Sequence, residues 1–288
     1  MSHSNPFSQK GLWLKGNTHT HTTQSDGKLP PRETVLEYQK AGYDFLFLTD
    51  HWKRTEAPSP AGGPLVIAAE ELDFFIGDQF FHIIGLGIQK EWARRKFRSL
   101  RELNRLAKRE KAILIVAHPY WSGNPSSLYQ NTSFFGIEVY NAVCDVLNGK
   151  GYSDVHWDDL LDAGQRILGF AADDYHRPNY IITPGWIMVK AAARTEAAIL
   201  QAIRRGRFYS TQGPVIKNIT LKKRLIEVTC SPASRIHFIA NRCHGTVIHG
   251  RNLTRASWQI PPHCKYVRVE CVDAAGKTAW SNPFFLSP

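Results

Sequence analysis

Five short apolar segments between Leu12 and Asp174 each lead into a histidine or an acidic residue. The residues at their carboxyl ends are His19, Asp50 with His51, Glu70, His118 and Asp174. Continuously apolar runs such as DFLFL at 44–48 are typical of parallel strands covered on both faces. Segments with helical spacing separate the runs, and the carboxyl ends of parallel strands lie at one edge of a sheet. The polar residues are therefore expected to meet at one site.

The predicted elements before residue 213 alternate between strands and helices. Strands are predicted at 44–48, 65–69, 80–88, 112–117, 135–140, 166–172, 186–191 and 208–211, and helices after Pro30-Pro31 and at 94–111, 154–163 and 195–205. This alternation predicts the α/β class, and so many units in about 200 residues favour closure into a barrel.

The pattern changes after Pro214. Short alternating segments at 216–221, 225–229, 236–239, 256–260 and 266–272 predict strands with turns between them and little helix. This spacing is typical of a small β-sandwich of the immunoglobulin type. We predict two domains, residues 1–213 and residues 214–288.

A metal site is predicted from the types of residue that the strand ends bring together. His19 and His21 are two residues apart, so on a strand they project from one face. Asp26-Gly27 then turns a carboxylate back toward the pair. The candidate ligands are His19, His21, Asp26, His51, Glu70, His82, His118, Asp174 and His176. Six imidazoles and three carboxylates exceed what one tetrahedral ion uses, so we expect two or three ions.

The amino-acid composition indicates which classes of binding partner to expect. The formal charge of +11 favours an anionic substrate, and basic residues are concentrated between Arg94 and Lys111. We interpret that segment as a solvated helix face, since no RNA-binding signature or helix-turn-helix accompanies it. No apolar run of about 18 residues and no secretory leader is evident, so a cytoplasmic protein without membrane contact is expected. The five cysteines form no C-x-x-C pair, which argues against a thiolate zinc site.

The order and spacing of these motifs resemble those of the PHP (polymerase and histidinol phosphatase) superfamily of metal-dependent phosphoesterases. The matching pieces are H-T-H with its S-D-G tail at 19–27, T-D-H at 49–51, Glu70, F-H-I-I-G at 81–85, A-H-P at 117–119 and D-x-H at 174–176. The segment RRGRFYSTQGP at 204–214, followed by a β region, resembles the CehA/McbA-type branch. The D-x-H spacing selects Asp174 over Asp173 as the ligand.

The resemblance implies a distorted (β/α)7 barrel that holds three divalent ions at its carboxyl rim. It assigns His19, His21, Glu70 and Asp174 to the first ion; Glu70, His82 and His118 to the second; and Asp26, His51 and His176 to the third. Arg177, next to the last ligand, is the candidate for contact with the substrate phosphate, because a guanidinium pairs bidentately with phosphate.

The predicted function is hydrolysis of a small-molecule or oligonucleotide phosphoester by a hydroxide that bridges the metal ions. The ligand types suit zinc, manganese or iron and do not choose among them. Two alternatives stay open. One is hydrolysis of a non-phosphate ester or a carbamate at the same metal site. The other is a non-catalytic protein that binds nucleic acid or glycan, although no nucleic-acid binding beyond the substrate is expected.

Overall fold

The structure, a computed structural model, is a mixed α/β fold with two β-sheets and five α-helices in the part of the chain that it describes, residues 4–92, 96–178 and 184–286. The helices are α1 (Pro31–Lys40), α2 (Leu100–Glu110), α3 (Ala142–Asn148), α4 (Asp154–Asp162) and α5 (Glu196–Arg204). The α/β class predicted from the sequence is confirmed. The (β/α)7 barrel and the immunoglobulin-type sandwich stay predictions.

Ten strands precede residue 213 in the described residues. They are β1 (Leu12–Asn17), β2 (Phe45–Leu48), β3 (Leu65–Ala68), β4 (Glu70–Ile76), β5 (Gln79–Leu86), β6 (Ile113–Val116), β7 (Gly136–Asn141), β8 (Leu168–Ala172), β9 (Trp186–Ala191) and β10 (Phe208–Thr211). Most of the predicted strands recur within two residues of their predicted bounds. The basic helix begins at Leu100, after the N-cap Ser99, rather than at residue 94; residues 93–95 lie outside the described part.

The predicted parallel sheet is only partly correct. Strands β1, β2 and β3 pair in parallel, as do β6, β7 and β8. Strands β4, β5 and β6, however, are antiparallel neighbours, and β9 lies antiparallel to both β1 and β10. The two-residue turn Gly77-Asp78 reverses the chain between β4 and β5, and Gly77 takes the positive φ of 59° that such tight turns require.

A continuous apolar core lies among the strands of both sheets. Its side chains come from alternate positions on the strands, such as Phe45 and Phe47, or Ile67 and Ala69. Alternation is expected because successive side chains of a strand point to opposite faces. The other faces of β4 to β7 pack with α2 and α4 into a second core around Trp157. The core residues thus fix which side chains at the strand ends point inward.

The strands after residue 213 are longer than predicted. They are β11 (Ile216–Lys222), β12 (Leu225–Ala240), β13 (Gly245–Gln259), β14 (Tyr266–Val272), β15 (Thr278–Ser281) and β16 (Phe284–Phe285). Strand β12 merges the strands predicted at 225–229 and 236–239, and Pro232 lies between them. Register shifts against β13 between Thr229 and Arg235 take up this proline, consistent with the restriction of proline to bulges within a sheet.

The sheet continues across the predicted domain boundary. Strand β10 pairs with β15, so the order β11-β12-β14-β15-β10-β9-β1-β2-β3 joins both ends of the chain in one sheet. Trp280 of β15 stacks on Tyr140 of β7 with ring centroids 6.0 Å apart. The division at residue 213 stays a prediction. No helix in the described ranges has both the length and the apolar character needed to cross a bilayer.

Candidate metal centre

A compact group of six histidines and three carboxylates lies where the carboxyl ends of the inner strands converge. Its members are His19, His21, Asp26, His51, Glu71, His82, His118, Asp174 and His176, and we refer to them as the histidine–carboxylate cluster. Eight of the nine predicted ligands are therefore brought together. The exception is Glu70, whose place is taken by its neighbour Glu71.

Glu70 lies on the opposite side of its strand from the cluster. Its Oε1 accepts a hydrogen bond from the backbone N–H of Trp92 at 2.9 Å. Burial raises the pKa of the Glu70 carboxyl to about 7, although that hydrogen bond lowers it. The prediction of Glu70 as a ligand is corrected to Glu71 on the ground of this geometry.

Strand alternation explains why Glu71 enters the cluster. Ile67 and Ala69 point into the inner core, and Glu71 is the next residue with the same parity. The same rule holds elsewhere, since His82 precedes the inward-pointing Ile84 by two residues. The prediction failed because it took the first polar residue after the apolar run, and not the first polar residue whose side chain points inward.

Four ligand atoms from three parts of the chain converge as the ligands of one metal ion do. His19 Nε2 lies 3.1 Å from His21 Nε2, and these nitrogens lie 3.1 and 3.0 Å from Glu71 Oε2. Asp174 Oδ1 is 3.1 Å from the first nitrogen and 3.4 Å from the second. Ligands at 2.0–2.1 Å around a tetrahedral ion are about 3.3 Å apart, so the residues present fit a divalent ion.

The second carboxylate oxygen of Glu71 faces a different pair of histidines. Glu71 Oε1 lies 2.8 Å from His82 Nδ1 and 3.5 Å from His118 Nε2. Its two oxygens thus point to two separate sets of imidazoles, which is the arrangement of a carboxylate that bridges two ions. The Nε2 atom of His82 is buried and has no hydrogen-bond partner in the part of the chain described.

Asp26, His51 and His176 form the outer part of the cluster. Asp26 Oδ2 is 3.3 Å from His176 Nε2 and 3.9 Å from His51 Nε2. Asp26 reaches them because the loop closes tightly at Gly27, where a Cβ would lie 2.5 Å from the carbonyl carbon of His21. The division of the cluster into three ligand sets stays a prediction, because its members also form overlapping groups such as His21 with Asp26 and His51.

Asp173 and Asp174 lie in different surroundings. Asp174 joins the cluster and has a positive φ of 54°, and His118 has a φ of 26°. Such conformations cost energy and often mark functional sites. Asp173 instead accepts hydrogen bonds from the Tyr43 hydroxyl at 3.0 Å and the Gly185 N–H at 3.1 Å. It therefore holds two segments of the chain together.

Glu138 was missed by the sequence analysis. This buried carboxylate on β7 lies 2.7 Å from His19 Nδ1 and accepts hydrogen bonds from the His118 N–H at 2.9 Å and the Asn141 amide at 2.8 Å. The same Asn141 amide donates to Asp174 Oδ2 at 3.1 Å. A carboxylate behind a histidine ligand fixes its tautomer and orientation. Glu138 lies before the end of β7 and has no adjacent histidine, so no sequence motif marks it.

The charges of the cluster are strongly coupled. Burial lowers the pKa of His21, but hydrogen bonds with Asp174 and Glu71 outweigh burial and raise it to about 10. Burial raises the pKa of Glu71, but His19, His51 and His82 hold it well below its usual value. Metal ligation requires neutral imidazoles, so an ion bound here would replace protons and compensate the same carboxylates.

A cleft of about 350 Å³ opens onto the cluster. Its walls include His51, Glu71, His82, His118, Asp174 and His176, together with Asp26, Lys28, Trp121, Val143, Cys144, Leu147 and Arg177. Arg177, the predicted phosphate contact, thus lies at the cleft. Lys28, which the sequence analysis did not single out, lines it as well.

The fold and the cluster define a class of protein: a mixed α/β chain with buried histidines and carboxylates arranged as groups that could hold divalent metal ions. No family model and no curated protein sequence matches the chain. A two-domain protein from Bacteroides vulgatus, containing a predicted PHP-like metal-dependent phosphoesterase, has a similar structure, with a TM-score of 0.56 and 16% identity over 100% of this chain and 98% of that one.

Two further solved structures are more distant. An amidohydrolase from Chromobacterium violaceum has a TM-score of 0.44 at 16% identity, over 57% of this chain and 88% of that one. Endonuclease Q in complex with a DNA duplex has a TM-score of 0.48 at 10% identity, over 68% and 56%. Neither carries weight here. The match to the Bacteroides protein shows that the two chains have a similar fold. Membership of the PHP superfamily and of its CehA/McbA-type branch stays a prediction.

Proposed function

We propose that this chain is a metal-dependent hydrolase that cleaves phosphoester bonds. The observation that carries the proposal is Glu71, whose two oxygens face two different sets of histidines within a PHP-like fold. Divalent ions held there would lower the pKa of a water molecule and stabilise charge on the entering and leaving oxygens. The cluster would hold two to three such ions, and its mixed imidazole and carboxylate ligands suit zinc, manganese or iron.

We assign the members of the cluster to three ligand sets. His19, His21, Glu71 and Asp174 would hold the first ion; Glu71, His82 and His118 the second; and Asp26, His51 and His176 the third. Glu138 and Asn141 would orient the ligands from behind. The site as a whole would favour an anionic substrate, because three divalent ions exceed the charge of the three carboxylates.

The chain's own cations would position the substrate at one end of the cleft. Arg177 follows the ligand His176 directly, and Lys28 lies close by, since its backbone N–H donates to the His176 carbonyl at 2.7 Å. Both side chains line the cleft. We propose that Arg177 contacts a phosphoryl oxygen, because its guanidinium offers two parallel N–H donors.

The same proposal extends to the architecture. Residues 1–213 would form a distorted (β/α)7 barrel and residues 214–288 an immunoglobulin-like domain, as in the CehA/McbA-type branch. The inner core supports the barrel, because strands of both sheets contribute to one apolar cluster.

Elemental analysis and hydrolysis assays test the function. The purified protein is expected to contain two to three transition-metal ions per chain and to hydrolyse p-nitrophenyl phosphate or bis(p-nitrophenyl) phosphate. Chelation should abolish turnover, and zinc, manganese or iron should restore it. Hydrolysis of a carboxylic ester or carbamate without any phosphoester turnover would overturn the phosphoesterase proposal. Bound metal without any turnover would favour a binding protein.

A further inference from the structure

The two ends of the cleft differ in chemistry. At one end, Lys28 and Arg177 lie beside His176. At the other, Trp121 lies against His118, with ring centroids 5.0 Å apart. A series of histidine rings separates the ends: His118 to His19 is 5.6 Å, His19 to His21 is 5.1 Å and His21 to His176 is 4.3 Å. A molecule bound across the cluster would therefore meet cations on one side and an indole on the other.

Apolar residues also line the cleft. Val143, Cys144 and Leu147 of α3 belong to the same lining as Trp121. Leu147 is 52% exposed at the mouth of the cleft. An apolar surface that adjoins a small number of convergent charged groups is typical of a ligand-binding cleft, whose charged groups orient the ligand while its apolar wall contributes affinity.

We infer that the cleft selects phosphoesters whose leaving group is an aromatic alcohol, seated against Trp121, Val143 and Leu147. This inference rests on the proposed function and names its substrate class. In the reaction, water oxygen forms a bond to phosphorus as the bond from phosphorus to the leaving oxygen breaks. One proton of the water passes to that oxygen, so a monoester gives inorganic phosphate and the free aromatic alcohol. Trp121 and Leu147 would be specificity-determining residues.

The contribution of the apolar wall to affinity can be tested without turnover, by measuring the binding of two phosphonates to the metal-loaded protein. Phenylphosphonate and methylphosphonate share a head group and differ in the apolar group, and their dissociation constants are measured by calorimetry. The wild type is expected to bind phenylphosphonate about 10-fold more tightly or better, because a buried ring removes on the order of 100 Å² of apolar surface from water. Leu147→Ser should reduce that preference at least about 3-fold, whereas Trp121→Phe, which keeps an aromatic ring, should retain most of it.

Val146→Ser is the matched control. Val146 is adjacent to Leu147 and 59% exposed, but it is not among the described residues that line the cleft, so its substitution should leave the preference unchanged. The ratio of kcat/KM for phenyl phosphate to that for ethyl phosphate should fall in Leu147→Ser and not in Val146→Ser. Equal affinity of the wild type for both phosphonates, with both esters hydrolysed, would overturn the inference and leave the proposed function standing. Absence of hydrolysis of both esters would overturn the proposed function and, with it, the leaving-group assignment.

Discussion

At the scale of single residues, the decisive feature is a pair of adjacent carboxylates in opposite environments. Glu71 lies between histidines on both of its oxygens, whereas Glu70 accepts a hydrogen bond from the Trp92 N–H behind the strand. Both side chains are almost fully buried, so burial does not distinguish them. The two residues differ only in the direction in which their side chains point, and the alternation of side chains along β4 sets that direction.

The first prediction compares Glu71→Gln with Glu70→Gln. Glu71→Gln removes the carboxylate that two sets of histidines share, and an amide oxygen is a much poorer metal ligand. Metal content should fall by at least one ion per chain, and hydrolysis by orders of magnitude. Glu70→Gln retains an oxygen that can accept from Trp92 and should keep its metal. Elemental analysis of both variants is the measurement. Loss of metal in Glu70→Gln, together with full metal content in Glu71→Gln, would restore the assignment made from the sequence.

The second prediction concerns Asp173 and Asp174. Asp174→Asn should weaken metal binding and hydrolysis strongly, because Asp174 Oδ1 lies within 3.1–3.4 Å of two histidine nitrogens. Asp173→Asn should keep the metal but lower the stability by about 1–3 kcal/mol, because its buried carboxylate accepts from Tyr43 and Gly185. Urea denaturation and metal analysis of both variants are the measurements. If Asp173→Asn lost its metal and Asp174→Asn retained it, the register of the D-x-H motif would be wrong by one residue.

The members of the cluster that the sequence indicated are those with a chemical signature at a strand end. Histidines such as His19 and His118 stand out because few other roles place them directly after an apolar run. Glu70 was chosen wrongly because two glutamates follow the same run, and residue type does not separate them. Glu138 could not be recognised, because its role depends on contacts with His19 and His118, which lie far away in the chain.

At the scale of elements, the strands made of continuous apolar residues were predicted from the sequence, whereas the strand with mixed polar and apolar residues was not. Strand β4 begins with EELD, so its inward side chains are charged and no apolar pattern marks it. Its partner β5 was predicted, but a hairpin partner was not, and the antiparallel pairing therefore went unforeseen. The Gly77-Asp78 turn was the available signal, since a glycine followed by aspartate between strands is typical of a tight hairpin.

The third prediction concerns this turn. Gly77 has a φ of 59°, and a Cβ there would meet no atom within 4 Å, so replacement by alanine costs only backbone strain. Gly77→Ala should lower the free energy of unfolding by about 1 kcal/mol, and Gly77→Asn by less, because asparagine tolerates this conformation better. Both variants should bind metal, since the turn lies at the far end of the hairpin from Glu71. Urea denaturation measures the difference, and a greater loss in the Asn variant would contradict the argument.

At the scale of the whole molecule, buried charges connect the two predicted domains. Arg268 on β14 is 1% exposed and donates from Nε and Nη2 to the two carboxylate oxygens of Asp158 on α4, both at 2.7 Å. It also contacts Glu270, its neighbour on the same strand face. Nearby, the Tyr266 hydroxyl donates to Asp162 at 3.0 Å. Together with the pairing of β10 and β15, these contacts favour cooperative unfolding of the chain.

The final prediction uses the pH dependence of this connection. Burial raises the pKa of Glu270, but Arg268 and His237 outweigh burial and hold it at about 2, below its ordinary value of 4.5. A carboxyl with a lowered pKa stabilises the fold above about pH 4.5, and that contribution, at most about 3 kcal/mol, is lost as the pH falls toward 2. Arg268→Met leaves the buried Glu270 and the partly exposed Asp158 without their cation, so it should cost about 3 kcal/mol at pH 7.

The difference between wild type and Arg268→Met should therefore shrink as the pH falls from about 5 toward 2. Over that range Glu270 becomes protonated in the unfolded chain and in the variant, and a neutral carboxyl needs no cation. Effects of acid on the histidine–carboxylate cluster are common to both proteins and cancel in the difference. Arg255→Met is the matched control: Arg255 also pairs with a glutamate, Glu227, at 2.8 Å, but at the surface, where such pairs contribute little. Urea denaturation over this pH range is the measurement. A difference that does not change with pH, or an equal loss in Arg255→Met, would show that the buried charges do not hold the two parts of the chain together.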